Sequence, residues 1–235
     1  YDKATQRRLG ACLPVHLFGH VSRLDELVAL CAEHDVTLIE DSAEAMGSFF
    51  QGRHAGTFGH VGVLSFNGNK TITTGGGGMV ITDDEAVAKR IRHITTTAKV
   101  AHRWEFFHDE LGYNYRLTNL NAAIGVAQME QLDRYITSKR AIAARYAEFF
   151  GNGSTQHFAE PADCHSNYWL NVILLPDRTE RDAFLAYTND NGVMTRPAWT
   201  LMSKLPMYSQ CPALSLEGAH WLEDRLVNIP STPIV

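Results

Sequence analysis

The 235-residue chain lacks the marks of several large protein classes. It holds four cysteines, Cys12, Cys31, Cys164 and Cys211, and no two of them form a C-x-x-C pair. That spacing argues against a thiolate zinc site or a redox dithiol and suits small buried apolar residues in a reducing compartment. No apolar run approaches the roughly 20 residues that span a bilayer, and the N-terminus has no signal-peptide core. The expected location is the cytoplasm, with no membrane partner. Basic residues are not in excess: 21 stand against 26 acidic ones, a net charge of -5, and no local basic patch offers itself to nucleic acid. Eleven histidines are scattered at spacings no better than chance, so no metal site is expected. Internal repeats and low-complexity tracts are missing as well.

What remains is enough apolar sequence, 45%, for a sizeable core. Residues 11–15 read as a short buried strand. A Ser22-x-x-Asp25 capping box then precedes Leu24, Leu27, Leu30 and Cys31 at helical spacing, and residues 37–40 read as a second strand. Strand, helix and strand in that order imply a parallel sheet with right-handed crossovers. Further strands are expected at 61–66 and 79–81, with a capping box at 82–85 opening a helix to about residue 95. Leu120, Ile124, Ala127, Leu132, Ile136, Ile142 and Tyr146 keep helical spacing over 119–150, as two helices or one kinked helix. A turn-rich break at 151–155 is followed by a strand at 168–175, a helix opened near Thr179, a strand at 192–196 and a helix at 216–226. The expected organisation is a large α/β domain over 1–151 that includes the connecting helices, and a small α+β domain over 152–235.

Chemistry concentrates in two places. In V-L-S-F-N-G-N-K (63–70) an apolar strand ends in Ser65 and Lys70, and Gly75 to Gly78 follow at once. A lysine amine held beside tightly packed backbone suits Schiff-base chemistry, although a surface lysine before a turn has the same spelling. Glu40, Asp41 and Glu44 stand at the carboxyl end of another strand, the edge where ligands gather in open α/β sheets. Asp41 either caps the next turn or faces that edge with Lys70. A buried carboxylate keeps a pyridinium nitrogen protonated, and a lysine with such an acid is the pair that pyridoxal 5'-phosphate requires. The Ser65 hydroxyl suits a phosphate oxygen. His16, Phe18 and His20 end the first strand and read as packing or capping residues, with ligand contact as the alternative. Residues 102–116 mix aromatics with cations, fit for a nucleotide, a sugar or a subunit contact.

E-D-S-A-E-A at 40–45, S-F-N-G-N-K at 65–70, the glycines at 75–78 and G-Y-N-Y-R-L-T-N-L-N-A-A-I-G at 112–125 resemble the DegT/DnrJ/EryC1/StrS sugar aminotransferases. The resemblance implies fold type I of the pyridoxal-phosphate-dependent transferases, like aspartate aminotransferase. Its mixed, mostly parallel sheet is joined to a small α+β domain. It further implies that Lys70 is the Schiff-base lysine and proton carrier, that Asp41 pairs with the pyridine nitrogen and that Ser65 contacts the phosphate. Asn114 would reach the phosphate in a neighbouring subunit, which makes the protein a homodimer with shared sites. Glu44 stands where many members have Gln, against the cofactor near its 3-hydroxyl, and a carboxylate there accepts but does not donate. Tyr115, Arg116 and Arg196 fall on the substrate side. The implied reactants are glutamate and a nucleotide-linked 4-keto-6-deoxy sugar, with closest likeness to the branch that takes UDP-linked N-acetylated sugars in bacillosamine and legionaminic acid pathways. A dehydratase of the same fold is one alternative, disfavoured because such relatives have His where this chain has Lys70. A non-catalytic sugar-nucleotide binder is another. Family members carry a preceding segment that completes the phosphate cup, so the chain is expected to be a fragment.

Overall fold

A computed structural model of the chain describes residues 1–3 and 5–234. In chain order it runs β1 (Ala11–Cys12), α1 (Leu24–Glu33), β2 (Thr37–Asp41), β3 (Phe49–Phe50), β4 (Arg53–His54), β5 (Val61–Ser65), β6 (Gly78–Ile81) and α2 (Glu85–Thr95). There follow β7 (Lys99–Val100), β8 (Phe107–His108), α3 (Asn119–Met129) and α4 (Leu132–Phe150). The remainder is β9 (Gln156–His157), β10 (Cys164–His165), β11 (Asn171–Leu174), α5 (Arg178–Asp190), β12 (Arg196–Pro197), α6 (Glu217–Glu223) and β13 (Leu226–Ile229).

The sheet that positions the site has the order β1-β2-β5-β6. β1, β2 and β5 are parallel, and β6 returns antiparallel to β5, giving the mixed α/β sheet expected from the sequence. Asp41 lies opposite Val63, so the carboxyl ends of β2 and β5 share one edge. Leu38 and Leu64 are buried at alternate positions of the two strands, as a period of two requires. Gly62 of β5 is pressed against the loop that precedes the strand: a Cβ there would stand 2.0 Å from the Gly56 carbonyl oxygen.

Glu40 is fully buried beside Asp41. Its Oε2 lies 3.0 Å from His16 Nε2 and accepts from the Gly56 amide at 2.7 Å, while Oε1 accepts from the Phe58 and Gly59 amides at 2.6 Å each. His16 Nδ1 in turn accepts from the Ser22 amide at 3.2 Å, which places the ring proton on Nε2, pointing at Glu40. Burial alone would raise the Glu40 carboxyl, but His16 and the Gly59 and Gly56 amides outweigh it and hold the group below the ordinary carboxylate range. Glu40 and His16 are therefore internal struts, and the sequence grouping of Glu40 with Asp41 at the ligand edge is corrected.

A second sheet, β12-β13-β11-β9, is antiparallel throughout and packs Ile173, Leu175, Val227 and Ile229 against Tyr146 and Phe150 of α4. A small sheet of order β10-β3-β4 pairs Cys164–His165 with Phe49–Phe50, so the chain after the 151–155 break threads back onto its first part.

Several expected boundaries move. α1 begins at Leu24 with Arg23 before it and no side-chain cap, so the expected Ser22 capping box does not form, and the Ser22 amide donates to His16 Nδ1. The cap of α2 is Asp84, whose Oδ1 accepts from the amides of Ala86 and Val87, rather than Thr82, whose hydroxyl donates to the His60 carbonyl. The long helical stretch divides into two helices, and the late strands contract to Asn171–Leu174 and Arg196–Pro197. All four cysteines are free, but only Cys31 is buried and Cys211 is exposed. Among the described residues no helix is long and apolar enough to cross a membrane.

Candidate active site

Lys70 sits in the turn that leaves β5, where its amide donates to the Asn67 carbonyl at 3.1 Å. Its side chain is 14% exposed, with Nζ 3.6 Å from Glu44 Oε1 and 4.0 Å from the centre of the Trp169 ring. What separates Lys70 from the chain's surface lysines is that both it and its acid are largely withdrawn from water, at 14% and 13% exposed. The glycine run returns the chain from this turn to β6: the Phe66 amide donates to Gly77 and the Thr74 amide to Phe66. Gly75 and Gly77 take φ values of 79° and 109°, which glycine adopts without strain.

Glu44 follows β2 and reaches back under the first loop. Its Oε2 accepts the Phe18 amide at 2.8 Å, and Phe18 is held at φ 62°, an uncommon conformation for a large side chain. Burial raises the Glu44 carboxyl above its usual range; the Phe18 amide and Lys70 oppose the rise, and the Asp41 charge adds to it. Asp41 thus acts electrostatically on the same acid that touches Lys70. Its Oδ1 also accepts the Ala43 amide at 3.1 Å, the turn role weighed as the alternative, and among the described residues nothing donates to Oδ2. Ser65 closes β5 two residues beyond the partner of Asp41, with Oγ accepting the Asn67 amide at 3.3 Å.

An amine, an acid and a hydroxyl therefore stand at one carboxyl edge of parallel strands. That donor set fits pyridoxal phosphate, which asks for a covalent amine, a proton-holding acid at its ring nitrogen and donors at its phosphate.

Arg196 belongs to the same place: with Lys70, Lys139, Trp169 and Trp199 it lines a cleft of about 1030 Å³. Tyr115 and Arg116 do not. They line a separate concavity with the edge of β6, while Asn114 is exposed and bridges to Thr96. Within the single chain Tyr115 and Arg116 are thus not brought together with Lys70: the segment after β8 runs along β6 and α2. His20 is buried, packed edge-on to Tyr168 at 5.1 Å, and burial pushes it down to about 4. With His16 bonded to Glu40, both histidines follow the packing alternative.

Sequence reasoning passed over Asn167, Trp169 and Lys139. Asn167 is buried and its amide donates to the carbonyls of Glu44 and Met46 at 2.9 and 2.8 Å, fixing the turn that presents Glu44. Its Oδ1 accepts the Trp169 amide at 2.7 Å, and Trp169 Nε1 donates to the Asn69 carbonyl at 2.7 Å, which seats the indole over Lys70. The polar-aromatic run S-N-Y-W at 166–169 was the available signal, but it has neither helical nor strand periodicity.

The mixed α/β sheet with this lysine-centred edge has the architecture of the fold type I transferases, the class that works with pyridoxal phosphate. Within it, the chain belongs to the DegT/DnrJ/EryC1/StrS aminotransferase family, whose sequence profile matches residues 2–235. It is 40% identical over 225 residues to the GDP-perosamine synthase of Escherichia coli O157:H7, an alignment covering 95% of this chain and 60% of that protein. It is 37% identical over 232 residues to the GDP-perosamine synthase of Vibrio cholerae, covering 97% and 62%. Among solved structures, the aminotransferase TlmJ of Streptoalloteichus hindustanus superposes with a TM-score of 0.89 at 30% identity over 95% of this chain and 60% of that one. The chain thus spans about three fifths of the length of these relatives.

Proposed function

We propose that the protein is a pyridoxal-phosphate-dependent aminotransferase that moves the amino group of glutamate to a nucleotide-linked 4-keto-6-deoxy sugar. The observation that carries this reading is the environment of Lys70: a largely buried amine 3.6 Å from Glu44, on the sheet edge that also bears Asp41 and Ser65. Bound pyridoxal phosphate supplies an electron sink for the carbanion formed beside an amino group. Lys70 would hold the cofactor through its amine, and that amine would serve as the base at the donor's alpha carbon. Asp41 would keep the ring nitrogen protonated, and Ser65 would donate to a phosphate oxygen. Glu44 balances the Lys70 charge and holds the Phe18 loop against the site. Relatives named for GDP-linked products support a sugar nucleotide as acceptor and make guanosine diphosphate, beside uridine diphosphate, a nucleotide to test.

In the same reading the large domain covers 1–151 and the small one 152–235. The functional unit is a homodimer in which Asn114, exposed on one chain, serves the partner's site. Cofactor-loaded protein incubated with glutamate and no sugar should release close to one 2-oxoglutarate per chain. Lys70→Ala should release none. Release by the variant at the wild-type level would sink the assignment.

A further inference from the structure

The turn that carries Lys70 also carries a reactive dipeptide that no step of amino transfer uses. Asn-Gly occurs at 67–68, 152–153 and 191–192, and all of these residues are exposed. An asparagine side chain is most open to attack by its own backbone when glycine follows, because glycine has no Cβ to shield the next nitrogen. Hydrogen bonding separates the three places. The Gly153 amide donates to the Phe150 carbonyl at 3.4 Å and the Gly192 amide to the Asn189 carbonyl at 3.1 Å. The Asn191 side chain is itself held, donating to the Tyr187 carbonyl at 2.8 Å. Among the described residues the Gly68 amide donates to nothing, and a Cβ on Gly68 would meet no atom within 4 Å. An engaged N–H must give up its bond before it attacks, and Gly68 has none to give up.

Asn67 is also the link between Lys70 and Ser65. Its carbonyl accepts the Lys70 amide at 3.1 Å, closing the turn over 67–70, and its own amide donates to Ser65 Oγ at 3.3 Å. Its Nδ2 donates to Asn69 Oδ1 at 3.2 Å. We propose that Asn67 is a self-modification site, at which loss of the side-chain amide dismantles the Lys70 turn. The Gly68 nitrogen gives up its proton and bonds to the Asn67 side-chain carbonyl carbon; the bond from that carbon to Nδ2 breaks, and ammonia leaves with the proton. The cyclic imide so formed takes up water across one of its two C–N bonds. Opening on the side-chain side leaves aspartate. Opening on the main-chain side leaves isoaspartate: the carbonyl that received the Lys70 amide becomes a free carboxylate, and the backbone gains a methylene. Either product sets a negative charge beside Ser65, which on the cofactor reading above repels the phosphate.

Prolonged incubation of the cofactor-loaded protein at mildly alkaline pH, followed by peptide mapping, tests this. The mass gain of an amide-to-acid change should build up at Asn67 at least tenfold faster than at Asn191 and severalfold faster than at Asn152, with isoaspartate as the larger product. Gly68→Ala should slow the change at Asn67 at least tenfold without lowering the thermal midpoint, since the added methyl has open space and the φ of Gly68 lies outside the left-handed region. The absorbance of retained pyridoxal phosphate should fall in step with the modified fraction of the wild type and hold in Gly68→Ala. An Asn67 that converts no faster than Asn152 and Asn191 overturns the inference. So does equal loss of cofactor from both proteins, or full retention by chains modified at Asn67. Fresh protein that takes up no pyridoxal phosphate contradicts the reading of Lys70 and, with it, the cofactor half of the inference. Conversion at Asn67 needs only the chain and water, so its mass signature stands or falls separately from that reading.

Discussion

Glu40 and Asp41 are adjacent acids with opposite fates, because successive strand residues point to opposite faces of the sheet. Asp41 faces the ligand edge, while Glu40 turns inward to His16 and three loop amides. Since the Glu40 carboxyl is held below its ordinary 4.5, its stabilisation is present above that pH and is lost as the pH falls through the folded value. Glu40→Gln should therefore lower the urea unfolding free energy by about 2–4 kcal/mol at neutral pH. The gap to wild type should close on acidification below 4.5, and a gap that stays constant would contradict the strut role. The sequence could not separate the two acids, since burial of a charge is decided by the partners that tertiary folding brings. That Asp41 and Lys70 lie at one sheet edge could be expected from the sequence because Asp41 ends one apolar strand and Lys70 stands in the turn after another. Trp169 was not, because it reaches Lys70 from a segment 99 positions later in the chain.

The pair of β2 and β5 is the element that fixes the site, since its register sets Asp41 two residues short of Ser65 along the shared edge. Gly62 lets β5 sit against the loop before it, with the backbone of Gly56 pressed where a Cβ would go. Gly62→Ala should destabilise by about 2–3 kcal/mol, since backbone rather than a flexible side chain must move. That corresponds to a fall of roughly 5–10 °C in Tm, read by circular dichroism; an unchanged Tm would mean that the approach is not tight. Core strands of five residues were readable from their apolar alternation. The division of α3 from α4 was left open because hydrophobic spacing continues across the break. Strands of two residues, such as β3, β4 and β10, carry no periodicity, so the small sheet that returns the later chain to the earlier one could not be foreseen.

At the scale of the whole molecule, α4 joins the two larger sheets: Ile136 and Lys139 are buried toward the site and Tyr146 packs on the second sheet. α3 presents Leu120, Ile124 and Val126 to solvent, each at least half exposed, which is apolar surface of the kind that a subunit contact covers. Sedimentation equilibrium should accordingly return twice the mass of the chain, and a monomer at micromolar concentration would remove the shared-site arrangement around Asn114. The fold class was legible from the alternation of strands and helices and from four ordered motifs, whereas the cleft was not, because residues 68–71, 139, 169 and 196–199 meet only in three dimensions. The whole arrangement rests on Lys70 as the amine that takes the cofactor. Borohydride reduction of protein loaded with pyridoxal phosphate, followed by proteolysis and mass spectrometry, should find the phosphopyridoxyl group on the peptide bearing Lys70. Recovery of the label on another lysine such as Lys139, or on none, would contradict it.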